Sequence, residues 1–472
     1  MGHDINEYNL VLQIIRPSET TKDTKDIHFE RNIIVSEEDL LLPKKLNAEQ
    51  LISYNTIIDR ISSKKAGAFF VDGPGGIGKT YLYQVDIDDN FCCNVSKQSP
   101  LACLIKDAKL IVWDEASMAK KNMIEALDVL LRDIMDVKTL FGGKVIVFGG
   151  DFRQTLPVVR NGKKEDFIHQ SLLYSNIWND LEKLHLSENM RARTDPSFCE
   201  YLLRIGNGKE TPQCENKIEI PNSLIIPFTT EEQSLDTLFN VTYPDLCTFS
   251  SDSSAISSRV ILTTKNDFVN EINDMLIRKF PERATTYVAT DETVEPNDQS
   301  QFEDFLHTLH PPGLPPYKLT LKENCPVMLL RNLNPSEGLC NGTRLTCCDL
   351  KTHVISAKIE SGDFKNTHVF IPRIPLLTSQ DEKIHVQFKR TQFPVRLCFA
   401  MTINKAQGQT LDFVGIYLRE PVFSHGQLYV ALSRAKSSEC VKILIRPPTG
   451  DSNDDHSTYN IVYDEIIQRA FS

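Results

Sequence analysis

Short apolar runs that end in polar residues recur along the first third of the chain. Residues 68–71, 109–113 and 144–148 are almost entirely apolar and too short for helices, so each predicts a buried strand. Between the last two runs, apolar residues at helical spacing predict an amphipathic helix, at Ile124, Leu127, Leu131 and Ile134. Buried strands that alternate with helices are typical of a parallel α/β sheet.

The second half of the chain repeats this pattern around a β-rich insertion. Residues 259–262, 395–399, 413–418 and 441–445 predict strands of a second α/β unit. Short β-type runs and an Asn-Gly turn between residues 318 and 371 predict a small β-barrel inserted into that unit. The predicted boundaries are a polar leader at 1–45, a first domain at 46–205 that is shortened after residue 80, a linker at 206–256, a second domain at 257–280 and 394–450, the inserted loop and barrel at 281–393, and a C-terminal tail at 451–472.

A glycine-rich segment directly after the first predicted strand has the spacing of a phosphate-binding loop. Its glycines are Gly73, Gly75, Gly76 and Gly78, and Lys79 and Thr80 follow them. Glycines let successive backbone N–H groups turn toward phosphate oxygens. The lysine then adds a charge for the β- and γ-phosphates, and the threonine hydroxyl can bind Mg²⁺. The alternative of a flexible glycine turn is weakened by the strand in front, so the segment predicts nucleotide binding.

Polar residues at the ends of the next two strands predict the chemistry of this site. Asp114 and Glu115 follow the second strand, where the aspartate can hold Mg²⁺ and the glutamate can polarise an attacking water. Gln154, after the third strand, is a neutral group suited to sensing a γ-phosphate. Upstream of the loop, Gln50 can offer a donor and an acceptor to an adenine edge. Taken singly, these signals also fit a solvated acid pair and surface glutamines.

Composition limits the class of protein. Hydrophobic residues make up 41% and charged residues 24% of the chain, as in ordinary globular proteins. The net charge of −11 leaves no overall basic footprint, so a nucleic-acid partner would need local Lys and Arg clusters. We expect no membrane helix because no apolar run approaches 18 residues, and no signal peptide. The 12 cysteines form no C-x-x-C motif and suit a reducing compartment. These features favour an intracellular α/β enzyme.

The motifs in this order resemble those of the Pif1-family helicases of superfamily 1, particularly the plant and Helitron-type members. The matching segments are residues 46–50, 73–80, 114–115, 149–154, 189–191, 402–408 and 429–434. The resemblance implies two RecA-like P-loop NTPase domains, with an SH3-like 2B barrel inserted in the second. It implies ATP and Mg²⁺ as cofactors, with Thr80 and Asp114 at the metal, and 5′→3′ movement on single-stranded DNA.

The same resemblance assigns the remaining site residues and the biological setting. Arg191 and Arg434 would neutralise charge on the γ-phosphoryl group, although a surface salt bridge is the ordinary alternative for Arg434. Thr402, Asn404 and Lys405 would contact DNA. Single-stranded and tailed duplex DNA would be the partners, in DNA repair, recombination and telomere maintenance. Nuclear residence is implied, with an organelle as the alternative, and the oligomeric state is left open.

The sequence differs from the family's pattern just after the phosphate loop. Only 34 positions separate Thr80 from Asp114, and the family's ATASSG-like DNA-binding motif and wedge hairpin have no counterpart there. We therefore weigh two hypotheses: a DNA-stimulated ATPase and helicase, and a truncated relative that binds nucleotide or nucleic acid without unwinding. A P-loop kinase or GTPase predicts neither the Gln407-Gly408 nor the Arg434 motif.

Overall fold

The computed structural model describes most of the chain beyond the leader. The described residues are 46–74, 97, 99–159, 161–187, 194–210, 212–214, 217–244, 246, 256–294, 305–309, 311, 313–362, 364–378, 387–448 and 455–471. The predicted leader at 1–45, most of the phosphate loop with Lys79 and Thr80, the shortened segment after it, and Arg191 lie outside this part. No helix within the described ranges is long and apolar enough to cross a membrane.

The first domain is built on four parallel strands in the order β2–β3–β1–β4. The strands are β1 (Gly67–Asp72), β2 (Leu110–Trp113), β3 (Val145–Gly150) and β4 (Glu182–His185). Its helices are α1 (Ala48–Ser62), α2 (Pro100–Asp107), α3 (Lys121–Met135) and α4 (Lys164–Gln170). The three strands predicted from apolar runs 68–71, 109–113 and 144–148 are confirmed.

Helices cover both faces of this sheet because its strands carry apolar side chains on both sides. Ile57 and Ile61 of α1 pack against Phe69 on one face. Ile124 and Leu131 of α3 pack with Phe70, Ile146 and Phe148 on the other. A parallel sheet buried in this way exposes mainly its strand ends, where ligands bind in open α/β folds.

The second domain has the same plan, with strand order β18–β7–β19–β20 and all neighbours parallel. Its strands are β7 (Arg259–Thr263), β18 (Ala400–Thr402), β19 (Phe413–Leu418) and β20 (Val441–Ile445). Helices α6 (Glu231–Thr242) and α7 (Asn266–Lys279) cover one face. Helices α5 (Pro196–Gly206) and α8 (Gln427–Leu432) pack together over the other.

Two of these helices differ from the predicted boundaries. Helix α5 falls in the range assigned to the first domain, yet Phe198, Leu202 and Ile205 are buried in the core of the second. Helix α6 falls in the range predicted as a linker, yet Leu235 and Leu238 are buried against the second sheet. The Gly, Pro and Ser content of residues 206–256 predicted a linker, but the apolar faces of both helices are buried in the second domain.

The insertion consists of antiparallel strands, as predicted. A five-stranded sheet runs β14–β13–β12–β11–β17, and smaller sheets run β15–β16–β9 and β10–β8. The strands are β8 (Thr285–Val288), β9 (Thr290–Thr293), β10 (Lys318–Leu321), β11 (Pro326–Leu329), β12 (Arg344–Leu350), β13 (Val354–Ile359), β14 (His368–Pro372), β15 (Ile374–Leu377), β16 (Phe388–Gln392) and β17 (Val395–Leu397). The run at 395–399, predicted as one strand of the second domain, is divided: β17 completes the inserted sheet, and β18 begins the second domain's edge at Ala400.

The C-terminal residues are part of the fold and span both domains. Strands β5 (Pro212–Cys214), β6 (Lys217–Glu219) and β21 (Ser457–Tyr459) form a small antiparallel sheet beside the second domain. Helix α9 (Asp464–Phe471) then packs on the first domain, where Ile466 is buried and the Arg469 Nε–H donates to the Leu173 carbonyl at 2.7 Å. This helix lies within the range predicted as a C-terminal tail, and its apolar face explains why it docks.

Candidate functional site

The acidic pair of the first domain lies where the sequence predicted it, at the carboxyl end of β2. Asp114 and Glu115 are both half-buried, and the Glu115 backbone N–H donates to Asp114 Oδ1 at 2.8 Å. Glu115 has a φ of 53°, in the left-handed region that residues with a Cβ rarely occupy. Such strain is typical of functional positions, where the surrounding structure holds a side chain in a required direction.

The end of β3 carries a second polar group that faces the other domain. Asp151 is fully buried and accepts hydrogen bonds from Arg153 Nη1 at 3.2 Å and from the Tyr429 hydroxyl of α8 at 2.9 Å. Gln154 is also buried, with its Nε2 3.4 Å from Asp151 Oδ2. Its Oε1 has no hydrogen-bond partner within the described part of the chain. A buried acceptor without a donor is costly, which fits a site that receives a water or another donor from a ligand.

Gln407 of the second domain joins these two strand ends across the interface. Its Nε2 donates to Glu115 Oε2 at 3.1 Å, and its Oε1 accepts from the Thr155 hydroxyl at 2.6 Å. One amide therefore contacts the predicted water-polarising carboxylate and the neighbour of the predicted phosphate sensor. Because both partners belong to the first domain, the two contacts depend on how closely the domains approach.

Arg434 lies near the same interface, but its guanidinium is bound within its own domain. It is fully buried, and it donates from Nε to Val430 O, from Nη1 to Gln409 O, and from Nη2 to Ser433 Oγ, at distances of 3.0, 3.1 and 2.9 Å respectively. Burial lowers the pKa of Arg434, while the charge of Glu115 acts in the opposite direction. The alternative of an exposed surface salt bridge is wrong, because the side chain is enclosed and its hydrogen bonds go to neutral oxygens.

His425 connects three parts of the molecule. Its Nδ1 accepts from the Tyr463 N–H of the C-terminal segment at 2.9 Å, so the proton is on Nε2, which donates to the Phe152 carbonyl of the first domain at 2.8 Å. Burial lowers the pKa of His425 to about 4, so the ring is neutral at physiological pH. The neutral ring can make both bonds, whereas a protonated ring would have no acceptor for the Tyr463 N–H.

Gly426 lies against the backbone of the first domain. Its φ is +71°, and a Cβ placed there would lie 2.3 Å from the Arg153 carbonyl oxygen. We expect Gly426→Ala to separate the domains, because the clash is with backbone that cannot rotate away. Small-angle scattering should then give a larger radius of gyration than for the unchanged chain.

Gly362→Ala is the matched control for this prediction. Gly362 has a φ of +77° but open space around it, so the variant carries the same backbone strain without a clash. It should leave the radius of gyration unchanged. Equal values for the two alanine variants would contradict the close approach at Gly426.

The remaining predicted binding residues fall at two places. Gln50 is the third residue of α1, and its Oε1 accepts from the Asn47 N–H at 3.0 Å while the Asn47 side chain caps the Gln50 N–H at 2.8 Å. Its carbonyl therefore has a local capping role. Thr402 ends β18 at the edge of the second sheet, and Asn404 and Lys405 lie in the short turn of helix after it, where Asn404 Oδ1 accepts from Gln427 Nε2 at 3.0 Å.

The phosphate loop is described only at its start. Gly73 directly follows β1, as a phosphate loop requires. Lys79, Thr80 and Arg191 lie outside the described residues, as do the other three loop glycines, Gly75, Gly76 and Gly78. Their predicted roles in binding the triphosphate, the metal and the transferred phosphoryl group stay predictions.

Known DNA helicases are similar to this chain. A family model described as PIF1-like helicase matches residues 45–87 and 83–216, and one described as the 2B domain of DNA helicase Pif1 matches residues 304–350. The ATP-dependent DNA helicase PIF1 of Danio rerio is 26% identical over 360 residues, covering 74% of this chain and 48% of that protein. Over these residues this chain is similar to the Pif1 helicases.

Solved Pif1 structures share its fold. A Bacteroides Pif1 bound to ssDNA has a TM-score of 0.56 at 19% identity, covering 92% of this chain and 100% of that one. A Bacteroides Pif1 in complex with ADP-AlF3 and ssDNA has a TM-score of 0.55 at 19% identity, covering 91% and 100%. These likenesses confirm the α/β class with two RecA-like domains. The chain spans about half the length of the vertebrate relatives it matches.

The site contains residues that sequence reasoning did not single out as site residues. Gln407 and Tyr429 fall inside segments recognised as motifs, but their partners Glu115 and Asp151 are nearly 300 positions away in the chain. The sequence did offer a signal for Gln407, because it belongs to the cluster of polar residues that follows β18. His425 carries no comparable signal, because its two hydrogen bonds go to backbone atoms of distant segments.

Proposed function

We propose that this Pif1 relative is an ATP-dependent motor that moves 5′→3′ along single-stranded DNA and separates tailed duplexes. The observation that carries the proposal is the contact of Gln407 with both Glu115 and Thr155, because it links the two RecA-like domains at the predicted hydrolysis site. A motor needs such a link because loss of the γ-phosphate in one domain must change the position of the other domain.

The residues at the interface fit a nucleotide between the domains. The carboxylates of the half-buried acidic pair and the Gln154 Oε1, which has no partner among the described residues, are acceptor oxygens that Mg²⁺ and water would complete. Asp114 and Thr80 would hold the Mg²⁺, which neutralises developing phosphate charge, and Lys79 would hold the β- and γ-phosphates. Glu115 would accept a proton from the attacking water, and Gln154 would orient that water.

The two arginines would supply positive charge to the γ-phosphoryl group. A Bacteroides Pif1 of this fold was solved in complex with ADP-AlF3 and ssDNA, which supports a nucleotide as a ligand of this chain. In the present arrangement Arg434 donates to acceptors of its own domain, so we propose that it reaches the γ-phosphate only after the domains close further. Such charge stabilisation is typically worth 10³–10⁵ in rate. Arg191 would act beside it.

DNA would lie across the top of the domains, at Thr402, Asn404 and Lys405. The Bacteroides Pif1 bound to ssDNA supports this class of partner for the fold. Roles in DNA repair, recombination and telomere maintenance, and residence in the nucleus, are further proposals from the family resemblance. The relatives include vertebrate and bacterial proteins, so an organelle remains the alternative compartment.

ATP hydrolysis with and without single-stranded DNA tests the proposal. We expect DNA to stimulate turnover, and Lys79→Ala to lower the stimulated rate by about 10²–10³, as for loss of one group that stabilises transition-state charge. Lys65→Ala removes an exposed lysine shortly before β1 and should leave the rate unchanged. Stimulated turnover that survives Lys79→Ala would contradict the proposed role of the loop.

A second candidate function is supported by the shortened segment. The family match is broken into two stretches, 45–87 and 83–216, at the place where the DNA-binding motif and wedge hairpin of the family are missing from the sequence. The chain would then bind nucleotide or DNA without unwinding. Single-turnover unwinding of a 5′-tailed duplex separates the two functions, since a normal rate is expected only of a complete helicase.

A further inference from the structure

Two positive side chains meet on the second domain where it joins the insertion. Arg396 of β17 and Lys405, after β18, line one depression together with Thr402 and the first turn of α7 at Asn266 and Val269. Arg396 is held in place by a 2.7 Å hydrogen bond from its Nη2 to Asn270 Oδ1. The depression therefore combines two cations, a hydroxyl and the N-terminal turn of a 14-residue helix.

The charges at this place are unbalanced. In the described part of the chain no carboxylate forms an ion pair with Arg396 or Lys405, although other cations of the second domain do form such pairs, such as Lys265 with Glu420 and Arg419 with Glu271. Lys405 remains in contact with solvent, yet the surrounding protein and then the Arg396 charge lower its pKa to about 8. Burial likewise lowers the pKa of Arg396. Two like charges held together raise each other's energy unless an anion joins them.

We propose that Arg396 and Lys405 together bind one phosphodiester group of a single-stranded DNA backbone. The inference rests on the proposed function and adds Arg396, which lies outside every recognised motif. The planar guanidinium supplies two donors that match phosphate oxygens, and the amine supplies a point charge. The first-turn N–H groups of α7 are oriented by the helix toward the same kind of ligand. The subsite would fix the strand at the junction between the second domain and the insertion.

Salt-dependent binding of an oligo-dT by the full chain, followed by fluorescence anisotropy, tests the subsite. Each contact to a single strand contributes about 0.7 to the slope of log K against log salt, so Arg396→Gln should reduce the slope by about 0.7. At 0.1 M salt, loss of this one phosphate contact should weaken oligo-dT binding about five-fold. Arg446→Gln is the matched control, because it removes the same charge from a half-exposed arginine of the second domain that already pairs with Glu231. An unchanged slope for Arg396→Gln would overturn the inference.

Labelling of Lys405 with an amine-reactive acylating reagent gives a readout independent of ATP turnover. Its lowered pKa should make Lys405 label faster than other lysines at pH 8, and oligo-dT should protect it. Arg396→Gln should slow its labelling in the absence of DNA, because the repelling charge is gone. Equal protection by millimolar inorganic phosphate or by ATP would overturn the assignment to the DNA backbone. Absence of oligo-dT binding by the unchanged chain would instead contradict the proposed function itself.

Discussion

Glu115→Gln is expected to abolish most ATP turnover while leaving nucleotide binding intact. The substitution keeps the size of the side chain and its contact with Gln407, but it removes the carboxylate that would accept a proton from the attacking water. Loss of a general base typically costs 10²–10⁴ in rate, so we expect a reduction of about that size. Steady-state ATP hydrolysis in the presence of single-stranded DNA measures it, and a fluorescent nucleotide analogue measures binding.

The strained backbone at Glu115 makes the choice of control important. Glu182→Gln is the matched change elsewhere in the first domain, since Glu182 is exposed and pairs only with Arg60 among the described residues. It should leave turnover within about two-fold, because exposed ion pairs contribute little. A Glu115→Gln variant that kept more than a tenth of the turnover would remove Glu115 from the proposed mechanism.

Gln407 offers an independent check on the same mechanism. If it positions Glu115, then Gln407→Ala should lower turnover in the unchanged chain but have little further effect once Glu115 is glutamine. Residues that act through one another lose additivity in this way. Additive losses would mean that Gln407 acts through Thr155 alone.

Strand ends were predictable from the sequence because the local pattern determines them. An apolar run that stops at Asp114 or at Gly149 identifies both the strand and the side chains at its carboxyl edge, which in a parallel sheet lie together. The insertion was predictable for a similar reason, since a hairpin turn and short β-type runs specify antiparallel pairing locally.

Partners across the domain interface were not predictable, since no local pattern encodes them. Helix α5 has an apolar face that fits either sheet, and only the assembled fold shows that Leu202 packs in the second domain. The run at 395–399 looks continuous in sequence, whereas the chain changes sheets between Leu397 and Ala400. The capping role of Gln50 could have been predicted locally, because Asn47 lies three residues before it and the two side chains form a capping box.

The largest effect on stability is expected at a fully buried ion pair in the insertion. Arg390 of β16 donates from Nε and Nη2 to the two carboxylate oxygens of Asp291 in β9, at 2.8 and 2.7 Å. Its other N–H groups donate to the carbonyls of Leu306, Leu309 and Pro315 at 3.0–3.2 Å. All five donors are used, so the one side chain joins a strand to the loop around residues 305–315.

Arg390→Met is therefore expected to destabilise the insertion by about 3–5 kcal/mol, because Asp291 and three carbonyls would stay buried without their donor. Hydrogen exchange of the β9 and β16 amides measures this locally, and protection should fall by about 10²–10⁴. Lys389→Met is the control, since Lys389 is the next residue of β16 and forms an exposed pair with Glu292 worth about 0–1 kcal/mol. Replacing both Arg390 by Met and Asp291 by Leu should recover much of the protection, because no unpaired charge remains. A double variant no more protected than Arg390→Met alone would contradict this expectation. In that case the lost protection would come from packing and the carbonyl contacts, and the unpaired charge of Asp291 would not be its cause.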